Sequence, residues 1–135
     1  MANIEKETNP TVLQTNISVI DEGHLKLSEI HNHVKLLLKQ EANKNDLAEA
    51  FFSLSYFFEN YLLKEELLLK SKGYPNFDDH KASHSSFIKG IEHLKDSYEN
   101  DIKCTLKELD TFIGDWLKTH SLNYNKEVVD FLNKK

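Results

Sequence analysis

His80 and His84, in the run His80-Lys81-Ala82-Ser83-His84, stand four residues apart. That is just over one helical turn, so on a helix both imidazoles point the same way. Phe77, Phe87, Ile88, Ile91 and Leu94 extend the same stripe, which turns the pair toward the core. Two stacked imidazoles on a buried face are costly unless something binds them, and a transition metal is the usual reason. On its own the pair is equally compatible with a structural role, so the remaining segments must supply further ligands.

Four amphipathic segments can do so. The first carries Ile20, His24, Leu27, His31, Val34 and Leu38, stepping by four, three, four, three and four, one face of a helix. Asp21 and Glu22 lie near its start, where the helix dipole favours acids. Glu41 to Asp46 reads as a polar joint. A second segment, about 46–71, places Phe51, Leu54, Phe57 or Phe58, Tyr61, Glu65 and Leu68 on one stripe. Gly73-Tyr74-Pro75 ends it, because glycine suits the position after a last turn and proline cannot continue a helix; this turn is assigned no chemistry. The third segment, about 76–98, holds the histidine pair, and Glu99-Asn100-Asp101 is a short joint. The fourth stripe runs Leu106, Leu109, Ile113, Trp116, His120. Residues 1–17 read as an irregular arm and 18–135 as the bundle. In the polar C-terminal tail, Val128, Val129, Phe131 and Leu132 can form a short helix packed on the body. The expected fold is therefore all-α, an antiparallel up-down four-helix bundle with an N-terminal arm and a short C-terminal tail.

Composition agrees and excludes several functions. The chain has 135 residues, enough for one domain with a sizeable core, and only four glycines and two prolines, which favours long helices. Its 17 basic residues are all lysine and its net charge is −5. No nucleic-acid footprint is present, and arginine, the best phosphate ligand, is missing. The single Cys104 forms no internal disulfide and fits a reducing compartment. The polar N-terminus shows no apolar h-region, and no apolar run is long enough to span a bilayer. A cytoplasmic protein with no membrane or nucleic-acid partner is expected.

Each core stripe contains residues foreign to an apolar core: His24 on the first, Tyr61 and Glu65 on the second, His80 and His84 on the third, His120 on the fourth. An ionised glutamate buried without a partner is strongly disfavoured. One intruder on every helix, all facing inward, points to a common centre. Bundle cores are where carboxylate and histidine di-metal sites are built, and mixed nitrogen and oxygen ligation suits iron, with zinc, manganese and copper as alternatives. His31 is expected to be a hydrogen-bonded core histidine, His33 and His93 solvated, and Lys70 and Lys72 a solvated helix end. Leu27, Leu54, Phe57, Phe58, Leu68, Ile113 and Trp116 are expected in the core, some of them lining the pocket.

These residues resemble the hemerythrin family, specifically bacterial hemerythrins. The matching runs are Ile20-Asp21-Glu22-Gly23-His24, Glu65-Glu66-Leu67-Leu68-Leu69 followed by Gly73-Tyr74-Pro75, His80-Lys81-Ala82-Ser83-His84, and Trp116-Leu117-Lys118-Thr119-His120. They cover residues 15 to 126 in order and at the right spacing. The resemblance implies a four-helix bundle holding two non-haem irons that bind dioxygen, bridged by a glutamate and an aspartate, with oxo or hydroxo bridging open, and with histidines as terminal ligands. Carried over, His24, Glu65, His80, His84 and His120 match family ligands.

Two positions depart from the pattern. Where the family has a histidine four residues before the bridging glutamate, this chain has Tyr61; where it has an aspartate five residues after the last histidine, this chain has Asn125. The family's tryptophan near the N-terminus is also missing. The two departures can compensate: asparagine removes a negative charge from the site, and tyrosine restores it if bound as phenolate, which coordination to a metal promotes. A core tyrosine hydrogen-bonded to a neighbour is the competing reading of Tyr61, and a capping or supporting role the competing reading of Asn125. In the family the iron corresponding to His24 and Tyr61 has the open position for dioxygen. A phenolate there favours ferric over ferrous iron, so poorer reversible binding is expected than with a full histidine set.

Three functions stay open at this level. The first is a di-iron, dioxygen-binding carrier, store or sensor. The second is an enzyme decomposing peroxide or handling nitric oxide at the same centre. The third is a bundle with a partly lost metal site serving as an interaction module.

Overall fold

The computed structural model describes residues 18–97, 101–120 and 126–133. The N-terminal arm and Asn125 lie outside the described residues. Among those described there are helices and no strands: α1 (Ser18–Leu38), α2 (Lys44–Phe57), a π turn (Phe58–Leu62), α3 (Leu63–Ser71), α4 (Phe77–Ser97), α5 (Ile102–His120) and α6 (Lys126–Asn133). The π turn joins α2 and α3 end to end, so four long helical rods remain. The first rod packs on the second and the fourth, and the third packs on both of those as well, which closes the expected antiparallel bundle. No described helix is long and apolar enough to cross a membrane.

Local chemistry sets the joints. The second rod starts two residues earlier than the apolar pattern suggests, because Asn43 and Asp46 form a reciprocal capping box: Asp46 N–H donates to Asn43 Oδ1 (2.9 Å) and Asn43 N–H to Asp46 Oδ2 (3.0 Å). It ends at Gly73, whose φ of 68° is left-handed. There the amide of Tyr74 donates to the carbonyl of Leu69 and that of Gly73 to Lys70. This Schellman arrangement satisfies the last carbonyls and throws the next side chain, Tyr74, back onto Leu69. Asp101 caps α5 by accepting from Cys104 N–H at 3.0 Å.

Two apolar clusters fill the bundle. The larger runs through its middle and far end, with Leu27, Val34, Leu54, Phe57, Phe87, Leu109 and Ile113 almost wholly removed from water. Truncating one of these leucines to alanine would cost about 2–5 kcal/mol. Phe58 and Trp116 pack against this cluster half-buried, as does Ile88; Leu68 is likewise only half-buried. Gly90 has a specific reason to be glycine: a Cβ there would run into the ring of Phe112, which stacks on Phe87 with centroids 5.4 Å apart. The smaller cluster, Ile20, Leu69, Tyr74 and Val128 with Phe77, Phe131 and Leu132 around them, closes the other end and holds α6 in place. The short terminal helix is therefore present and packed.

The second stripe differs from its sequence reading. Strict helical spacing puts Tyr61 and Leu68 inward, yet the buried positions are Phe57, Leu62, Glu65 and Leu69, with Tyr61 and Leu68 half-exposed. The π turn is the cause. Its Leu63 N–H donates to Phe58 five residues back, so one extra residue is inserted and the helix face shifts by about 100°.

Candidate metal centre

The candidate ligands sit between the two clusters. Ile20 lies one turn before His24 and Leu69 one turn after Glu65, so these two residues of the closing cluster continue the stripes that carry His24 and Glu65. Against the solvation cost of burial, Glu65 is 6% exposed, His80 1%, His84 0% and His120 3%. One potential ligand atom from each of these four lies within 4.8 Å of the others. The π turn, the i, i+4 pair on α4 and the last turn of α5 are what bring them together.

Contacts within the cluster are short and directional. His80 Nε2 donates to Glu65 Oε1 at 3.0 Å, and His84 Nε2 lies 2.9 Å from the same oxygen. The rings pack edge-on, with centroids 4.7 Å apart for His80 and His84 and 4.8 Å for His80 and His120. Burial by itself would raise the carboxyl pKa of Glu65, but the hydrogen bonds from His80 and His84 outweigh it and hold the group well below the usual carboxylate range. For His84 burial favours the neutral ring, while Glu65 and Glu66 together overcome that and raise its pKa. His120 is pushed well below the ordinary histidine value by burial and by its histidine neighbours. Glu65 ionised and His120 neutral are the forms in which a metal takes these ligands, whereas the raised pKa of His84 means that a metal there competes with a proton. Three imidazoles and a carboxylate at this separation fit a transition-metal ion with mixed nitrogen and oxygen ligation.

The remaining candidates fall on the other side of the cluster. His24 is buried on α1 and, with Tyr61, Glu65, Trp116 and His120, lines a cavity of about 10 Å³, room for one water-sized molecule. Leu27, Phe57 and Leu62 make its apolar walls. Tyr61 stacks on Phe57 with ring centroids 5.9 Å apart, so its ring leans along the wall instead of standing in the ligand stripe. A larger depression of about 500 Å³, against Leu37, Ala42, Ile102 and Leu106, shares no residue with the histidine cluster.

Glu66 and Ser83 carry no sequence signal of their own as supports of the site. Glu66 pairs with His84 Nδ1 at 2.8 Å, and Ser83 Oγ lies 3.0 Å from His120 Nδ1. Trp116 stacks on His120 with centroids 4.1 Å apart and on Phe87 at 4.4 Å. Tyr74, assigned above to a turn without chemistry, is buried edge-on against His80 (6.3 Å) and donates its hydroxyl to Glu127 of α6 at 2.9 Å. Burial and Glu127 both push its phenol pKa up, so it remains a neutral donor. His31 is a hydrogen-bonded partner of Asp110 on α5, Nε2 to Oδ1 2.7 Å. His33 is half-buried, not wholly solvated; Lys70 and Lys72 are exposed at the helix end.

Comparison with known proteins agrees with this geometry. The family described as "Hemerythrin HHE cation binding domain" matches residues 15–132. A bacteriohemerythrin of Clostridium acetobutylicum is 34% identical over 123 residues, covering 87% of this chain and 94% of its own length. One from Campylobacter jejuni is 20% identical over 127 residues, covering 94% and 96%. Hemerythrin subunit 1 of Golfingia vulgaris is 26% identical over 121 residues, covering 90% and 84%. No solved structure matches significantly. With the matched span running over all four rods and the buried cluster at their centre, the chain belongs to the hemerythrin family.

Proposed function

We propose that the chain is a non-haem di-iron protein that binds dioxygen inside its bundle, as a carrier, store or sensor, and that the bundle of residues 18–135 is the working unit, with 1–17 an arm. The observation that carries this reading is the buried convergence of Glu65, His80, His84 and His120, beside a cavity the size of a small molecule. The hemerythrin relatives support the choice of iron and dioxygen.

The division of labour follows from position. His80, His84 and His120 would hold one iron; His24, with Tyr61 and Asn125 at the altered family positions, would serve the second, and Glu65 would bridge. Iron would supply the electrons for holding dioxygen. The chain supplies the rest. Glu65 stays ionised between His80 and His84 and so brings negative charge without taking up a proton. Leu27, Phe57 and Trp116 keep the cavity wall largely apolar and restrict water, which slows loss of the bound oxidant to solvent-driven side reactions. Tyr74 and α6 close the end of the site behind His80. The unpaired Cys104 fits a reducing, cytoplasmic setting.

A second reading, turnover of peroxide or another small oxidant, is favoured by one residue: Tyr61 in the cavity wall brings a phenol where the family has an imidazole. The test is elemental analysis of protein made in iron-replete medium, followed by visible spectra through cycles of oxygen and its removal. Close to two irons per chain and a spectrum that follows oxygen reversibly are expected. One iron or none, or a spectrum indifferent to oxygen, refutes the dioxygen reading. Peroxide loss catalysed by the iron-loaded protein and absent from His84→Ala would favour the second.

A further inference from the structure

We infer that Glu66 and Ser83 are positioning residues that fix the ring orientation and tautomer of His84 and His120, so that both present Nε2 to the metal. The inference rests on the metal-binding reading above and concerns residues outside the ligand set.

Glu66 follows Glu65 directly, yet it does a different job, because successive helical residues point about 100° apart. Glu65 reaches the inner side of the His84 ring, 2.9 Å from Nε2, while Glu66 Oε2 reaches its outer side, 2.8 Å from Nδ1. A carboxylate only accepts, so Nδ1 carries the hydrogen and donates to Glu66. Nε2, which faces Glu65 at 2.9 Å, is then the nitrogen that gives up its proton and turns a lone pair to a metal when one binds. The same logic applies on α4 and α5. Ser83 precedes His84, and its hydroxyl lies 3.0 Å from Nδ1 of His120. When Nε2 of His120 binds metal, Nδ1–H donates to Ser83 Oγ. Each of two neighbouring pairs, Glu65-Glu66 and Ser83-His84, therefore contains one residue of the cluster and one residue that orients a histidine on another helix.

The two supports are unequal in kind. Glu66 is half-buried and brings a negative charge to the far side of the ring, which strengthens the imidazole as a donor; outer partners of this type change metal affinity by roughly 10- to 100-fold when lost. Ser83 brings only a neutral dipole. The Trp116 ring, stacked on His120 at 14°, already restrains that imidazole, so Ser83 has less left to fix.

The experiment is titration of metal-free protein with cobalt(II) against a competing chelator, reading both the dissociation constant and the visible ligand-field spectrum. Glu66→Ala is expected to weaken binding about 10- to 100-fold and to shift the ligand-field bands. Glu66→Gln keeps an oxygen acceptor for Nδ1 and should recover part of the affinity while retaining a shifted spectrum. Ser83→Ala should weaken binding less than Glu66→Ala. Glu49→Gln, an exposed acid on α2, controls for net charge and should match the unmodified protein. Far-ultraviolet circular dichroism of each metal-free variant separates folding from binding, and should Glu66→Ala not fold, Glu66→Gln carries the test through its spectrum. Glu66 variants that fold and bind cobalt with unchanged affinity and spectrum overturn the inference alone. An unmodified protein that binds no metal overturns both the inference and the reading beneath it.

Discussion

The two sides of the centre are built differently. On the side of α3, α4 and α5, Glu65, His80, His84 and His120 are buried and mutually in contact, and Glu66, Ser83 and Trp116 each lean on one of the histidines. On the side of α1 and the π turn, His24 is buried, but its neighbour Tyr61 is half-exposed and stacked flat on Phe57. The first side is the more fully supported by neighbouring side chains. Binding there costs little rearrangement, whereas a phenol engaged on the second side must leave its stack. A shared family pattern of ligands thus conceals two positions of unequal readiness.

The largest expected effect tests the first side. His84→Ala should weaken metal binding by more than about 100-fold, exceeding the loss from any outer partner, as measured by chelator competition. The second substitution probes the other side: His24→Ala should lower the iron content from two per chain toward one while sparing the first ion, by elemental analysis. Loss of both would show that the two sides bind as a unit and would break the comparison. A third outcome follows from pH. Glu65 and Glu66 raise the pKa of His84, so a metal there competes with its proton up to a higher pH than at an ordinary histidine. Affinity should fall as pH drops through that pKa, by up to about tenfold per pH unit for each proton released, and level off above it; cobalt titrations at pH 6 and pH 8 decide. A flat profile would mean that His84 is not the proton carrier.

Smaller still is Tyr61→Phe. The stack on Phe57 is retained, so stability should stay within roughly 0.5 kcal/mol, while a phenolate-to-iron absorption band should vanish. An unaltered spectrum and metal content would exclude Tyr61 as a ligand. At the closing end the metal site should feel nothing: Tyr74→Phe removes the hydrogen bond to Glu127 and should cost about 1 kcal/mol, a fall in Tm of roughly 4 °C, with metal content unchanged.

Much of this was legible in the chain. The stripes Ile20-His24-Leu27 and Leu106-Leu109-Ile113 keep strict helical spacing, and periodicity reports burial well wherever a helix stays regular. The pair His80 and His84 is legible for the same reason. Tyr61 was misplaced on its stripe because nothing in Phe58-Glu59-Asn60-Tyr61-Leu62 marks a π turn; that shift depends on how the rod packs against its neighbours. Glu66 and Ser83 were unmarked because their partners lie on other helices, at separations of 18 and 37 residues. Tyr74 was hidden by its own turn: Gly73 and Pro75 announce a helix end, but only the hydrogen-bonded geometry of that end shows which way the tyrosine is thrown. Asn125 lies outside the described residues.

The π turn has a consequence for how such a chain tolerates change. Insertions and deletions ordinarily settle in loops, where they displace little. Here one residue inside a helix sets the angular offset between an upper half that packs Phe51, Leu54 and Phe57 and a lower half that aims Glu65. Removing one residue from 58–62 would make the rod regular and turn Glu65 by about 100° away from His80 and His84, without altering any ligand. The length of that short stretch is thus as much a determinant of the centre as the identity of the groups that compose it.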